Sequence, residues 1–237
     1  MTRKLLTEVI GTFFLVLTIG LTVTAGLPLA PLAIGAALMV MVYMGGAISG
    51  AHYNPAVTVA VLLRGKIAVG EAAAYMVAQV AGATLAALAV YGIVGQTFVP
   101  APAAGASAAV VLGVEALFTF ALALVVLNVA TTRETAGNSY FGLAIGLTVM
   151  AGAFAGGPVS GGAFNPAVGL GPAIVTALLG SAPVAHVWFY VAGPIVGAAL
   201  AAAAFRVQHP AEFEPVSVPF PAGLKQSADE PAVASEA

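Results

Sequence analysis

The chain has no cysteine, and only 7% of its 237 residues carry charge. The first absence excludes disulfides and thiolate metal centres. The second excludes an ordinary water-facing surface, because a soluble domain carries about 25% charged residues. A net charge of -2 offers no basic face to a nucleic acid. Also missing are a His/Asp/Glu cluster at metal-ligand spacing and a nucleophile beside its base. No metal, cofactor, nucleic-acid partner or enzymatic activity is therefore expected. What is abundant is apolar: 61% of the residues are hydrophobic, a composition made for the lipid bilayer.

A bilayer crossing needs roughly 20 apolar residues. Hydropathy predicts six such spans, near residues 5–25, 32–48, 69–93, 109–131, 140–154 and 184–205. Arg3 and Lys4 followed by an apolar run, with Thr24-Ala25-Gly26 as a small-residue cleavage site, partly fit a signal peptide. The run is too long for one and contains Glu8, so the first span is expected to be retained.

Positive charge predicts orientation, since Lys and Arg stay in short cytoplasmic loops. Arg3 and Lys4 precede the first span, Arg64 and Lys66 follow the second, Arg133 follows the fourth, and Arg206 and Lys225 follow the sixth. All fall on one side, so both termini are expected in the cytoplasm and the protein in the cell (inner) membrane. Residues 1–206 are expected to form a single membrane domain. Residues 207–237, rich in Pro, Ala and Glu, read as a flexible cytoplasmic tail.

The membrane domain is an internal repeat, with one copy near 3–95 and the other near 107–206. Residues 33–58 match 144–169 at a constant offset of 111, bringing Asn54-Pro55-Ala56-Val57 onto Asn165-Pro166-Ala167-Val168. Upstream, Glu8 parallels Glu115 at an offset of 107. Each copy holds three spans, an odd number, so the second must be inverted relative to the first.

Asn is a favoured helix N-cap and Pro a favoured first helical residue, so each Asn-Pro-Ala should start a helix. Residues 55–63 would span only about 14 Å, half of a 30 Å hydrocarbon core. Gly169, Gly171 and Pro172 weaken the first turns of the second helix over 166–179. Two such half-helices entering from opposite faces and meeting at their starts complete one pseudo-span. The irregular backbone before each is tolerated at that depth only when buried in protein or lining a wet cavity. The paired positive dipole ends disfavour cations there, and the amides of Asn54 and Asn165 would donate to a solute oxygen. The fold class expected is thus an all-α membrane protein of six transmembrane helices plus two re-entrant half-helices. Its expected partners are water and small neutral solutes.

Glu8 could pair with Lys4 at helical i, i+4 spacing or serve a function inside the membrane; Glu115 has no cation at that spacing. Gln79 either joins helices or serves the pore. His52 either lines a vestibule or braces its loop, and bracing is favoured. Trp188 and Tyr190, near the end of the last span, read as interfacial anchors.

Paired Asn-Pro-Ala motifs, each led by Ser-Gly, with Glu8 and Glu115 early in each repeat, resemble the aquaporin and aquaglyceroporin (major intrinsic protein) family over residues 3–206. The resemblance implies a homotetramer with one pore per subunit. It also implies that Glu8 and Glu115 accept hydrogen bonds from the pore-loop backbone, with His52 in the same support. Counted from the two Asn residues, the family's selectivity filter falls on Ile34, Ala153, Gly162 and Val168. Family members typically have Arg where this chain has Val168, and water-selective ones an aromatic ring and a histidine where it has Ile34 and Ala153. The expected filter is wide and apolar, as in some arsenic-resistance-linked bacterial aquaglyceroporins. Glycerol, urea and neutral arsenic species such as arsenite or methylarsenicals are then expected cargo. The competing readings are a strictly water-selective aquaporin and, further off, a coupled secondary transporter.

Overall fold

Among the described residues, apolar runs punctuated by glycine and proline become eight α-helices: α1 (Thr2–Thr24), α2 (Ala30–Ser49), α3 (Pro55–Leu63), α4 (Val69–Val94), α5 (Ala108–Thr131), α6 (Phe141–Ser160), α7 (Pro166–Leu179) and α8 (Phe189–Gln208). This is a computed structural model that describes residues 1–180 and 182–214. All six helices other than α3 and α7 are long and apolar enough to cross a membrane. The boundaries differ most from expectation in two places. Helix α6 continues to Ser160 despite Pro158, since a membrane helix can re-satisfy the backbone group that proline frees. Helix α8 starts at Phe189 rather than near 184; ahead of it the chain turns through Val187 N–H to Val184 O and Phe189 N–H to His186 O bonds of 3.1 and 3.0 Å.

The repeat is visible as paired packing. Helix α1 lies along α4 as α5 lies along α8, and α7 packs on α4 as α3 packs on α8. Helices α2 and α6 pack against each other. A methyl group added to Gly35 would lie 2.7 Å from Gly146 O, and one added to Gly146 would lie 2.5 Å from Gly35 O. Each copy thus contributes the same glycine to the same contact. With no hydrophobic gain from pushing one apolar helix against another in lipid, such close backbone approach lets dispersion hold the pair. Gly169 and Gly171, which weaken α7 as an isolated helix, have the same use. A Cβ on them would meet Tyr190 Cβ at 2.6 Å and Ala83 Cβ at 2.5 Å.

Basic side chains gather at one end of the bundle. Lys4 pairs with Glu71 at 2.8 Å, Lys66 lines the same vestibule, and Arg64, Arg133 and Arg206 surround residues 205–213. There the flexible tail expected from residue 207 needs correction in its first part. Helix α8 runs to Gln208, and a 3-10 turn follows over Pro210–Phe213. Glu212 binds Arg64 at 2.7 Å and accepts from the Arg133 backbone N–H at 2.7 Å. The Arg64 guanidinium lies 4.6 Å from the Phe213 ring centroid, a cation–π distance. Low apolar content did not prevent docking, because one acid met two arginines brought close by the fold. The Arg133 N–H bond, followed by the charges of Arg133, Arg64 and Lys66, holds the Glu212 carboxyl below its ordinary value despite burial. The remainder of the expected tail, 215–237 with Lys225, lies outside the described residues.

Candidate pore

Asn54 and Asn165 cap α3 and α7, each accepting a backbone N–H two residues on: Ala56 N–H at 2.8 Å and Ala167 N–H at 2.9 Å. Their amide nitrogens cross to the opposite loop. Asn54 Nδ2 donates to Phe164 O and Asn165 Nδ2 to Tyr53 O, both at 2.9 Å. The two half-helices therefore meet start to start, joined by a reciprocal pair of bonds. An amide NH2 has two hydrogens; one on each Asn is used in this cross-link, and the second has no acceptor among the described residues.

Those bonds require unusual backbone. Tyr53 and Phe164 both have φ of 48°, and Ala51, at 51°, matches Gly162 at 65° in the other repeat. Non-glycine residues in the left-handed region cost of order 1–3 kcal/mol each and persist only when their surroundings over-determine them. Here the surroundings are two buried carboxylates. Glu8 accepts from Ser49 Oγ (2.6 Å), His52 N–H (3.0 Å), Tyr53 N–H (2.7 Å) and Gln79 Nε2 (2.8 Å). Glu115 accepts from Ser160 Oγ (2.7 Å), Ala163 N–H (3.1 Å) and Phe164 N–H (2.7 Å). The alternative partner for Glu8 drops out, since Lys4 is bonded to Glu71.

Gln79 joins helices and serves the pore loop at once, because its second amide hydrogen goes to Thr58 Oγ1 at 3.0 Å. His52 Nδ1 lies 3.1 Å from Thr58 Oγ1, and the residue borders both cavities described below. Tyr190 corrects the sequence reading. It is no interfacial anchor but fully buried, with its hydroxyl donating to Ser160 O at 2.6 Å. Tyr75 donates likewise to Ser49 O at 2.8 Å. Both tyrosines fix the residue that opens a pore loop. Trp188 is exposed at the start of α8.

Two cavities meet at His52, Val126 and Ile145. One, of about 710 Å³, opens at the basic end beside Lys66 and Glu71. The other, of about 340 Å³, contains Asn54, Asn165 and all four residues singled out from the sequence: Ile34, Ala153, Gly162 and Val168. Its described lining includes no charged side chain. Sequence reasoning missed one part of this wall: Phe98, Val99, Pro100 and Ala101, from the connection between α4 and α5, also line it. The only signal was the Val-Pro-Ala-Pro string, which restricts the backbone without saying where it lies.

An inverted pair of half-helices meeting beside two cavities that share lining residues, among six helices long and apolar enough to span a membrane, fits a transmembrane channel. A sequence model of the family described as Major intrinsic protein matches residues 1–205. The chain belongs to that family and is a channel for water and small solutes, not an enzyme. It is 39% identical over 218 residues to glycerol uptake facilitator protein-like 6 of Lactiplantibacillus plantarum, covering 86% of this chain and 97% of that protein. It is 37% identical to aquaporin NIP1-1 of Zea mays, covering 86% of this chain and 74% of that one. The crystallised aquaglyceroporin of Plasmodium falciparum shares the fold at a TM-score of 0.79 and 23% identity, covering 89% of this chain and 98% of that chain.

The cross-link makes the amide identity at 165 testable. Asn165→Asp keeps the cap on Ala167 but puts an oxygen where Nδ2 now faces Tyr53 O at 2.9 Å. Losing that bond and setting two acceptors together should cost about 1–3 kcal/mol. The expected result is a lower yield of folded protein in detergent, or altered solute selection in what folds. Wild-type yield together with wild-type selection would mean that the cross-link has no consequence.

Proposed function

We propose that this chain is a multi-solute channel, passing water together with small neutral molecules such as glycerol, urea and neutral arsenic hydroxides or methylarsenicals. Ile34, Ala153, Gly162 and Val168 form its filter, and Asn54 and Asn165 orient the solute at the midplane. The observation that carries this reading is the shared cavity in which these six residues meet without a charged side chain. A filter selects by size and by the donors and acceptors that it presents. This one offers alkyl groups and a glycine where a guanidinium and an imidazole would compete for space, so solutes larger than water are admitted.

Glu8 and Glu115 are taken as the supports of the pore loops. Both have 0% exposure and neither lines either of the two cavities, so neither is placed to be the titratable substrate contact that a coupled transporter needs. By the charge rule, the basic end is assigned to the cytoplasm and the protein to the cell's inner membrane. A homotetramer with one pore per subunit is proposed from the family resemblance.

Reconstitution in liposomes tests the reading, with stopped-flow permeation measured for water, glycerol, urea and neutral arsenite. Flux of water and of at least one larger neutral solute well above protein-free liposomes is expected. Flux of water alone would replace it with the strictly water-selective reading.

A further inference from the structure

We infer that residues 209–213 complete the second repeat, and that Glu212 is a positioning residue: it ties the end of the first half-helix to the α5–α6 connection and so holds the basic-end vestibule in shape. The inference goes beyond the multi-solute reading and is independent of which solutes pass.

The last helices of the two copies correspond at an offset of 115, which separates Tyr75 from Tyr190 and Gly82 from Gly197. The tyrosines each donate to the serine that opens a pore loop. A Cβ on the glycines would lie 2.5 Å from Val9 O and 2.3 Å from Ala116 O, in the residues that follow Glu8 and Glu115. Continued past the ends of α4 and α8, the same offset pairs Thr97 with Glu212 and Phe98 with Phe213. The correspondence holds in space. A methyl on Gly20 of α1 would meet Phe98 and Val90 alike at 2.5 Å, and Phe213 stands edge-on to Phe205, the counterpart of Val90, with ring centroids 6.2 Å apart. Thr97 sits at the end of α7, where a Cβ on the capping Gly180 would lie 2.4 Å from its Oγ1, and Phe98 O accepts from Thr176 Oγ1 at 3.1 Å. Glu212 sits at the end of α3, holding the capping Arg64 at 2.7 Å. The first segment goes on to α6, where Ala103 N–H donates to Val159 O at 3.0 Å; the second reaches α5, where His209 Nε2 lies 2.7 Å from Asn128 Oδ1. The chain leaving each copy thus returns to the end of the other copy's half-helix. The second copy runs to 213 rather than to the 206 expected from sequence.

The two segments differ in that a carboxylate replaces the threonine. Every hydrogen bond that the Arg64 side chain makes among the described residues goes to Glu212, and the two side chains are only 4% and 8% exposed. The other oxygen of Glu212 accepts from the Arg133 N–H at 2.7 Å, while the Arg133 side chain donates to Ala211 O. Val61, Lys66 and Ile67 around Arg64, and Thr131, Thr132 and Thr135 around Arg133, line the same vestibule. Glu212 is not in that lining, so it acts from behind, through the two arginines. One carboxylate therefore joins two walls. Without it the walls move independently and the entrance is narrowed for part of the time, which lowers the flux of every solute alike. The filter residues line the other cavity and keep their discrimination.

Stopped-flow water permeability of liposomes, divided by the amount of folded channel they hold, tests the inference. Glu212→Gln keeps an acceptor but loses the charge that draws two arginines. Water permeability per folded channel should fall about threefold, with any glycerol-to-water ratio left at the wild-type value. Arg64→Gln should cause a similar loss, and both substitutions together no more than either alone, since each breaks the same bond. The chain has no cysteine of its own, so spin labels on Lys66→Cys and Ala136→Cys report the distance between the walls. Its distribution should broaden when Glu212→Gln is added. Glu212→Asp, too short to reach both arginines, takes its place in both measurements if the glutamine variant does not fold. Wild-type flux per folded channel in these variants, whatever their yield, would leave Glu212 a merely stabilising residue and overturn the inference. Losses that multiply in the double variant would overturn it as well.

Discussion

Glu8→Ala is expected to yield almost no folded protein. The substitution removes the shared acceptor of four donors, Ser49 Oγ, the N–H groups of His52 and Tyr53, and Gln79 Nε2. Each buried donor left without a partner costs about 1–3 kcal/mol, so losing all four approaches the whole stability of a typical protein, roughly 5–15 kcal/mol. The loss also removes the restraint on Ala51 and Tyr53, held at φ of 51° and 48°. Once Tyr53 relaxes, its carbonyl no longer meets Asn165, and the joint between half-helices opens. Glu8→Gln should be milder, because its amide oxygen still accepts while its NH2 faces donors. Glu115→Ala should fall between, with three donors stranded rather than four. Membrane yield and monodispersity in detergent rank the variants. Recovery of Glu8→Ala at wild-type yield and water flux would rule out the carboxylate as what holds the loop.

Most of this architecture could be read from the sequence because the repeat states it twice. Asn54-Pro55-Ala56 and Asn165-Pro166-Ala167 each carry a cap and a first helical proline, and their fixed offset tied two local signals into one global statement. Glu8 and Glu115 stood out because a carboxylate inside an apolar span demands a partner. What was illegible depended on contacts distant in sequence. Nothing in the types of Tyr53 and Phe164 announces left-handed backbone, since glycine is its usual sign. Tyr190 beside Trp188 fits an interfacial belt as well as a core, and only the position of Ser160 O distinguishes them. Residues 207–214 looked too polar to pack until Arg64 and Arg133 were brought to Glu212. The segment at 97–103 has no periodicity, because its neighbours come from three helices rather than from one face.

Val168→Arg is expected to narrow the pore. Val168 is 4% exposed and lines the cavity in the first turn of α7, three residues past the Asn165 cap. An arginine there extends a long side chain with five N–H donors into a space bounded by alkyl groups. Its charge would sit near the positive end of the α7 dipole, which is unfavourable by about 0.3–1 kcal/mol, so the guanidinium should seek carbonyl acceptors. Those of Val99 and Pro100 accept from no other described residue and border the same cavity. A guanidinium drawn toward them would lie across the mouth and leave passage mainly for water. Permeation of glycerol and urea should fall by about tenfold or more relative to water. Val168→Leu, which adds bulk without charge, should reduce it less. The comparison separates size from polarity: equal losses in both variants would assign the effect to bulk alone, and glycerol-to-water ratios unchanged in Val168→Arg would remove Val168 from the filter.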